Sequence, residues 1–442
     1  MFFRLLFLLL LSVPIAAQQP ISLLPANPHY FLFRGKPTVL VSDSENGQAY
    51  LNPNFEYVSY LDTLQKYGFN YTRVSTFSKA SETEDILVPW AKIEKSDGDG
   101  TFLYDLDTWN QAYFDHLTDF IAHAAQRGIV VEVKLFGAFS DENQWFANPF
   151  HPSGNVNIHN NFSAAEVYTP DNGELTQYQD ALVAKIVEEL NGFDNVFYEI
   201  LDAPWSNVGS NASSGVSSNC MAWQAHIADV IMTTEASLPN KHILSQNTAN
   251  SQQKIKETDP RYSIYTFHEA TPEAVAQNAQ LRKVIGCDQA KFRWAEQTDY
   301  LNQAWRYLLV GGGLYNRLED SQAYLLPNCC PEALVLRKQI SFLKQFIESF
   351  DFSAMQPDTI AIRANATCWV LGKKGQDYAA YIEGSNLGDL TLNLPAGKYF
   401  VIFIDIQHGE IIRSGPFKSN GTPTTVHYQH PMQDWALRVI RQ

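Results

Sequence analysis

The chain has 442 residues, with 45% hydrophobic residues, 18% charged residues and a net charge of −15. The strongly negative charge argues against nucleic acid and anionic membrane surfaces as partners. The hydrophobic content is sufficient for a large core and argues against disorder, and the length exceeds that of one ordinary domain.

Residues 1–17 have the pattern of a secretory signal peptide. Arg4 provides a short basic region, residues 5–11 are apolar, and the small residues Ala16 and Ala17 precede the expected cleavage point. The apolar run is too short to span a bilayer, and no later stretch is long enough. We therefore expect a protein without a membrane span that is secreted or exported to the periplasm.

The five cysteines do not form a metal-binding pattern. Their number is odd, so at least one is unpaired or intermolecular; they are Cys220, Cys287, Cys329, Cys330 and Cys368. Cys287 lies in an apolar stretch and is expected to be buried, whereas a bridge from Cys220 to Cys329 or Cys330 is an open alternative. Since the sequence has neither a zinc-type Cys/His spacing nor a glycine-rich phosphate loop, we expect no metal and no organic cofactor.

From residue 29 to residue 350, predicted strands alternate with predicted helices. A hairpin at 29–37, turning at Gly35-Lys36, precedes strands at 38–41, 70–74, 129–136, 196–201, 242–246, 262–267, 283–287 and 311–318. Helical apolar spacing occurs at 55–66, 113–125, 178–190, 220–235, 272–279, 296–309 and 332–350. The strands are apolar on both faces, as buried parallel strands are. This alternation predicts a (β/α)8 barrel over residues 18–350, with long loops at 77–107 and 137–172.

After residue 350 the pattern changes to short alternating strands separated by turn residues. Examples are at 359–364, 379–382, 390–394, 399–406 and 435–440. Because no long helix follows, residues 351–442 are predicted to form a small β-sandwich. No low-complexity linker separates the two domains, so we expect them to pack rigidly.

The candidate chemistry lies at the carboxyl ends of the barrel strands, where barrels of this kind place their working residues. The fourth predicted strand ends in Asp202-Ala203-Pro204, the sixth is followed by His268-Glu269, and the seventh by Asp288-Gln289. Retaining hydrolysis of a glycoside requires two carboxyl groups roughly 5–5.5 Å apart, one acting as acid/base and one as nucleophile. Carboxylates are thus available, and the question is whether two of them face each other.

These segments resemble a known family. The chain is similar to clan A glycoside hydrolases, near the cellulase-like family 5 barrels. More closely, it resembles secreted bacterial proteins that join such a barrel to a C-terminal domain named for collagen binding. The resemblance covers nearly the whole mature chain; its segments are Gly35-Lys36-Pro37, 70–73, 191–196 leading to Pro204, Phe267-His268, 285–292, 311–316, 397–409 and Asp434-Trp435.

The resemblance implies that both catalytic glutamates are replaced. In the relatives the fourth strand ends in Asn-Glu-Pro and the seventh in Asp-Glu, so Ala203 stands at the acid/base position and Gln289 at the nucleophile position. A positioned general acid contributes about 10²–10⁴ in rate. Alanine cannot donate a proton and glutamine cannot form the glycosyl ester as a carboxylate does. We therefore expect impaired catalysis.

A shifted carboxylate pair is the alternative. Asp202 is expected to face the pocket and could act as the acid, with Glu269 or Asp288 as its partner. Glu269 stands at a strand mouth, where it could equally be a solvated rim charge. Asp288 is expected to point opposite to Gln289 and away from the pocket, because side chains alternate along a strand.

Further residues are assigned to substrate binding or to support. The predicted substrate contacts are Glu45, Asn46, His268, Gln289, Trp205, Trp294, Tyr315 and Glu319. Arg73 and Glu199 are both predicted inside the barrel. Each charge would be costly to bury alone, so we predict an ion pair that supports the pocket from below.

Three functions fit these patterns. The first is a secreted glycoside-hydrolase-like protein that engages an oligo- or polysaccharide at the C-terminal face of the barrel, with impaired catalysis. The second is an active O-glycosyl hydrolase that uses the shifted pair. The third is an extracellular interaction protein that contacts a matrix or cell-surface partner through the sandwich, although packing against the barrel is the expected role of that domain.

Overall fold

A small antiparallel sheet opens the chain. The computed structural model describes residues 19–45, 47–77, 86–94, 102–207, 216–290, 297–318, 331–384, 387–429 and 434–442. The predicted signal peptide therefore lies outside the described residues. The sheet consists of β1 (Ser22–Leu23), β2 (Phe31–Phe33) and β3 (Lys36–Thr38). Its hairpin turns at Arg34-Gly35, both with positive φ, one residue earlier than predicted. Such a turn matches the twist of the flanking strands.

Eight parallel strands then form a nearly closed barrel. They are β4 (Leu40–Ser44), β5 (Tyr71–Ser75), β8 (Val130–Gly137), β9 (Val196–Asp202), β10 (Leu244–Asn250), β11 (Tyr262–His268), β12 (Val284–Ala290) and β13 (Leu314–Leu318). The hydrogen-bonded order is β4-β13-β12-β11-β10-β9-β8-β5. Asn70 bridges the seam between β4 and β5, because its side chain accepts from Val41 N (3.0 Å) and donates to Val39 O (2.9 Å). The predicted barrel is confirmed.

The barrel interior is apolar at the bottom and charged above. The bottom layer contains Leu40, Tyr71, Val130, Phe197, Ile264, Val284 and Leu314, packed against Phe31 and Phe33 of the first sheet. Two residues further along the respective strands lie Arg73, Glu132, Glu199 and Thr266, all fully buried. The alternation of side chains along each strand therefore points these polar groups into the barrel as well.

Helices surround the barrel and cover its outer face. They are α1 (Tyr57–Lys66), α2 (Gln111–Gln126), α3 (Glu142–Phe146), α4 (Leu175–Leu190), α5 (Ser218–Ala236), α6 (Pro272–Asn278), α7 (Gln297–Leu309) and α8 (Pro331–Glu348). Their apolar faces join the outward side chains of the strands in one large core. Among the described helices, none combines the length and the apolar content needed to cross a bilayer.

The two long loops contain structure of their own. A hairpin of β6 (Trp90–Glu94) and β7 (Phe102–Trp109) occupies part of the first loop, and α3 lies in the second. Trp145 in α3 is buried and its indole N–H donates to Phe162 O at 2.6 Å. It therefore belongs to the large hydrophobic core that the barrel and its helices share.

The cysteines of the described residues are unpaired. Cys220, Cys287 and Cys368 are free thiols, so a bridge from Cys220 is ruled out in this structure. Cys220 is instead buried in the first turn of α5, where its backbone N–H donates to the Ser217 hydroxyl. Cys287 is buried as predicted, and Cys329 and Cys330 lie outside the described residues.

Two antiparallel sheets form the C-terminal sandwich. Their strands are β14 (Gln356–Pro357), β15 (Ile362–Ala364), β16 (Thr367–Lys373), β17 (Asp377–Glu383), β18 (Leu387–Leu392), β19 (Gly397–Asp405), β20 (Glu410–Ser419), β21 (Thr424–Gln429) and β22 (Trp435–Arg441). One sheet has the order β14-β16-β17-β22-β19-β20 and the other β15-β18-β21. Buried side chains from both sheets form a separate core, which confirms the predicted sandwich.

The sandwich packs directly on the barrel through α7. Trp305 of α7 stacks on Tyr381 of β17, and Tyr381 stacks in turn on Trp369, with ring centroids 5.7 Å apart in both pairs. Next to this stack, Arg306 Nε lies 2.7 Å from Glu383 Oε2. Apolar stacking and an ion pair therefore join the two domains at one helix.

Candidate functional site

Three polar side chains converge at the carboxyl ends of β9, β11 and β12. His268 Nε2 lies 3.0 Å from Asp202 Oδ1 and 3.5 Å from Asp288 Oδ2. Lys134, from β8, places its Nζ 3.2 Å from the other oxygen of Asp202. The side chain of Asp202 is 21% exposed, that of His268 12%, and that of Asp288 is fully buried. Asp202 and His268 thus form the floor of the barrel mouth, and Asp288 lies beneath them.

The position of Asp288 differs from the prediction. Its carboxylate points into the barrel, where Arg73 Nη2 lies 3.0 Å from Oδ2 and Asn247 Nδ2 donates to the same oxygen at 3.2 Å. The expectation that it faces away from the pocket was wrong. Asp288 lies four residues after Val284 of the barrel-bottom layer, so simple alternation would have placed it inside, and the pairing of β12 with both neighbouring strands shifts register beside it.

Arg73 organises the charges below the mouth. The ion pair predicted with Glu199 is present, since Arg73 Nη2 lies 3.2 Å from Glu199 Oε1. Arg73 also lies 3.3 Å from Glu132 Oε2 and 3.5 Å from Asp202 Oδ1. We refer to the seven residues Arg73, Glu132, Lys134, Glu199, Asp202, His268 and Asp288 as the ionic cluster. Four carboxyl groups share three cationic side chains, so nearly every charge has a partner of opposite sign.

The ionic cluster separates the protonation states of its members. Burial lowers the pKa of His268, but Asp288 and Asp202 outweigh it and raise the value to about 9. Burial would raise the pKa of Asp202, yet Lys134 and Arg73 hold it well below its ordinary value. The pKa of Asp288 is also lowered, against the effect of burial, by His268 and Arg73. At neutral pH, Asp202 and Asp288 are therefore anions and His268 is a cation.

Deeper in the barrel, the effect of burial prevails, and the pKa values of the two glutamates are raised. Burial raises the pKa of Glu132 to about 7 and that of Glu199 well above its ordinary value, because Arg73 offsets only part of the desolvation. Glu199 also accepts a hydrogen bond from Thr266 Oγ1 at 3.1 Å. Both groups therefore take up a proton more readily than an exposed glutamate does, which reduces the cost of burying four carboxyl groups together.

Ala203 and Trp205 form the turn after β9. Ala203 has a left-handed backbone conformation, with φ 53° and ψ 48°, and its N–H donates to Asn247 Oδ1 at 2.9 Å. The half-buried Trp205 ring stands edge-on to His268, with centroids 4.9 Å apart. The position assigned to a catalytic acid therefore presents a methyl group, next to an aromatic ring at the barrel mouth.

The other predicted site residues lie in different surroundings. Glu45 is 1% exposed, and its carboxylate accepts from the backbone N–H groups of Gly47, Gln48 and Ala49. Tyr315 is fully buried in the core outside the barrel, with its hydroxyl donating to Tyr300 O at 3.3 Å. The burial of both side chains does not support a contact with substrate.

Glu269 and Gln289 are neighbours at the ends of β11 and β12. Both are half-buried, and the N–H of Glu269, which has a left-handed φ of 48°, donates to Gln289 O at 2.7 Å. This contact joins their backbones and leaves their predicted roles open. Asn46, Trp294 and Glu319 lie outside the described residues.

Sequence reasoning missed Glu132, Lys134 and Asn247. A signal for the first two existed, because charged residues alternate with valine in Val131-Glu132-Val133-Lys134, inside an otherwise apolar strand. A buried parallel strand with that alternation must point its charges into the barrel. Asn247 had no such signal, because it lies in the continuous polar run Ser245-Gln246-Asn247-Thr248.

Asp202, His268 and Asp288 also have the spacing of a metal site, since one ligand atom from each lies within 4.8 Å of the others. Lys134 and Arg73 already contact the two carboxylates, and His268 is protonated at neutral pH. A metal ion would have to compete with three cationic groups. We therefore infer that side chains of the protein, rather than a metal ion, balance the charges of the two carboxylates.

The architecture, a (β/α)8 barrel followed by a C-terminal sandwich, is shared with solved structures of glycoside hydrolases. The chain is similar to a provisionally assigned glycoside hydrolase from Bacteroides vulgatus, with 16% identity, a TM-score of 0.69, and coverage of 96% of this chain and 83% of that one. A glycoside hydrolase family 5 protein from the same species shares 13% identity with a TM-score of 0.66, over 96% and 93% of the two chains. A further glycoside hydrolase shares 13% identity with a TM-score of 0.65, over 96% of this chain and 97% of that one. No protein-family description and no curated protein matches the chain. At these identities the similarity establishes the fold.

Proposed function

We propose that this protein binds an oligo- or polysaccharide at the barrel mouth without hydrolysing it. The proposal rests chiefly on Asp202, the most exposed carboxylate of the ionic cluster. Its two oxygens each contact a cation, Lys134 Nζ at 3.2 Å and His268 Nε2 at 3.0 Å. A general acid must be protonated before it acts, and these cations keep Asp202 ionised. With Ala203 at the neighbouring position, neither of these two described residues at the end of β9 supplies the carboxylic acid that the mechanism uses as its proton donor.

A groove beside Asp202 supports saccharide binding. It has a volume of about 280 Å³ and is lined by Gln48, Phe77, Gly137, Ala138, Phe139, Gln144 and Asn148. It adjoins the floor of the mouth, because Gly137 pairs with Asp202 and Ala138 N donates to Asp202 O at 3.0 Å. Amide and aromatic side chains of this kind suit the hydroxyl groups and the apolar faces of sugar rings.

A hydrolase with a shifted carboxylate pair is the second candidate. The observation in its favour is that oxygens of Asp202 and Asp288 lie within 4.8 Å of each other, near the roughly 5–5.5 Å of a retaining pair. Against it, Asp288 is fully buried and in contact with Arg73, so an anomeric carbon would have to displace His268 to reach it. Glu269 is the other predicted partner and stands on the next strand end from Asp288.

The interaction role of the sandwich is the weaker proposal. Its stacking and ion pair with α7 support the view that it stabilises the barrel. Secretion, which depends on residues 1–17, remains a proposal that places the protein where extracellular polysaccharides occur.

Thermal unfolding with a panel of soluble oligosaccharides tests the proposal. A ligand bound only by the native state raises the stability by about 2.7 kcal/mol at one hundred times its Kd, so Tm should rise for a binding sugar. Trp205→Ala should remove that rise, whereas Phe102→Ala, at an exposed aromatic of β7, should leave it intact. A panel that never moves Tm would contradict the proposal.

Aryl glycosides distinguish the binding protein from the hydrolase. The wild type is expected to show no turnover; turnover that disappears in both Asp202→Asn and Asp288→Asn would establish the shifted pair instead. Because Asp288 faces the interior and the resemblance assigns Gln289 to the pocket, Ala203→Glu is best combined separately with Asp288→Glu and with Gln289→Glu. Activity in only one combination would identify the strand position that faces an anomeric carbon.

A further inference from the structure

Asn247 of β10 connects the turn after β9 to the buried carboxylate of β12. Its Oδ1 accepts from Ala203 N at 2.9 Å, and its Nδ2 donates to Asp288 Oδ2 at 3.2 Å and to Thr266 Oγ1 at 2.8 Å. The side chain is 1% exposed. One amide therefore contacts three neighbouring strand ends and is fully satisfied by them.

The backbone explains why a side chain is needed there. Pairing between β9 and β10 consists of Leu244 with Tyr198 and Ser245 with Glu199. Beyond these pairs β10 has an irregular register between Asn247 and Ala249. Where the backbone pairing of β9 with β10 stops, the hydrogen bond between Ala203 N and the Asn247 side chain holds the end of β9 in place.

The contact between Asn247 and Ala203 matters because of the backbone conformation of Ala203. Its left-handed conformation is unfavourable for alanine by about 1–2 kcal/mol, so the turn depends on contacts that hold it. The same turn positions Trp205 against His268 and begins directly after Asp202. A shift of the Ala203 turn would therefore move both Trp205 and Asp202, which contact His268 at the floor of the mouth.

We infer that Asn247 is a positioning residue of the saccharide site, which sets the turn bearing Trp205 and the carboxylate of Asp288 in register with His268. The inference rests on the proposed function for its ligand, and on the three hydrogen bonds of Asn247 for its geometry. Asn247 acts through Ala203 and Asp288, since its own side chain is buried beneath the mouth.

The test compares Asn247→Ala with Asn195→Ala. Asn195 is also a fully buried amide; it donates to Ile129 O at 2.9 Å next to the amino end of β9, opposite to the mouth. Both variants should lose thermal stability. Only Asn247→Ala should also weaken saccharide binding, by about tenfold, which is the upper range for one lost hydrogen bond.

A second readout does not require a sugar. The NMR titration midpoint of His268 depends on how closely Asp202 and Asp288 approach it. In Asn247→Ala this midpoint should fall toward the ordinary histidine value, and in Asn195→Ala it should stay at the wild-type value. Asn247→Asp, which keeps the shape and the acceptor for Ala203 but lacks the donor to Asp288, should also weaken binding and serves if the alanine variant does not fold.

The outcomes separate the two proposals. A wild type that binds no saccharide refutes the proposed function, while the titration of His268 still decides the role of Asn247. An unchanged midpoint in Asn247→Ala, or the same change in Asn195→Ala, would overturn the positioning role.

Discussion

Arg73 contacts Asp288 in two ways: Nη2 lies 3.0 Å from the carboxylate Oδ2 and Nη1 donates to the backbone oxygen at 3.3 Å. The guanidinium therefore fixes both the side chain and the strand of this residue. Because Arg73 also contacts Glu132 and Glu199, one cation neutralises carboxyl groups from three strands. A planar group with five donors suits this task, and a lysine would not reproduce it.

Removing Arg73 should be strongly destabilising. Arg73→Leu leaves buried carboxylates without their partner, and breaking a buried pair in this way costs about 3–5 kcal/mol. Denaturant unfolding at pH 7 measures the loss. Lys373→Met removes a half-exposed pair with Asp351 and should cost no more than about 1 kcal/mol. If the two variants lose similar free energies of unfolding, the ionic cluster is less important for stability than its burial indicates.

The pKa of His268 predicts a pH dependence of stability. Its value in the folded protein is about 9, above the ordinary 6.5, so the stabilisation is fully present below pH 6.5 and is lost as the pH rises through 9. A shift of this size corresponds to about 3 kcal/mol. The difference in unfolding free energy between wild type and His268→Gln should therefore shrink from pH 6 to pH 10. A difference that stays constant over this range would contradict the protonated state of His268.

The barrel strands could be predicted from sequence, because buried parallel strands leave apolar runs between turn residues. The direction of individual side chains at the mouth was harder to predict. The resemblance predicts that Gln289 faces the pocket and Asp288 faces away, whereas the carboxylate of Asp288 points into the barrel. Tyr315 follows Leu314 of the barrel-bottom layer and so faces outward, which the alternation of side chains along the strand would have indicated.

The contacts made by Asn247 could not be predicted, since they join residues that are 44 and 41 positions apart in the chain. They depend on where the backbone ladder between β9 and β10 stops and on the left-handed turn at Ala203, and neither has a sequence signature. The ion pair of Arg73 and Glu199 could be predicted, because two opposite charges inside one barrel are costly to bury unless they are paired.

The contact between barrel and sandwich predicts cooperative unfolding. Tyr381 is fully buried between Trp305 and Trp369, so Tyr381→Ala should cost about 3–5 kcal/mol and loosen the domains from each other. Calorimetry should show one transition for the wild type and two for the variant. Leu392→Ala, in the separate core of the sandwich, should lower Tm without splitting the transition. Two transitions in the wild type would show that the domains unfold independently.

A substitution at Ala203 is expected to increase the free energy of unfolding rather than to decrease it. Its φ of 53° is unfavourable for alanine and accessible to glycine at no steric cost, so Ala203→Gly should relieve strain. After the larger backbone entropy of glycine in the unfolded chain is subtracted, a gain of about 0.5–1 kcal/mol is expected. Ala122→Gly, within α2, should instead lose about 1 kcal/mol, because glycine is unfavourable in a helix. Denaturant unfolding of both variants measures the two signs. A loss of stability in Ala203→Gly would show that the turn after β9 is not held in a left-handed conformation, and would remove the reason for its dependence on Asn247.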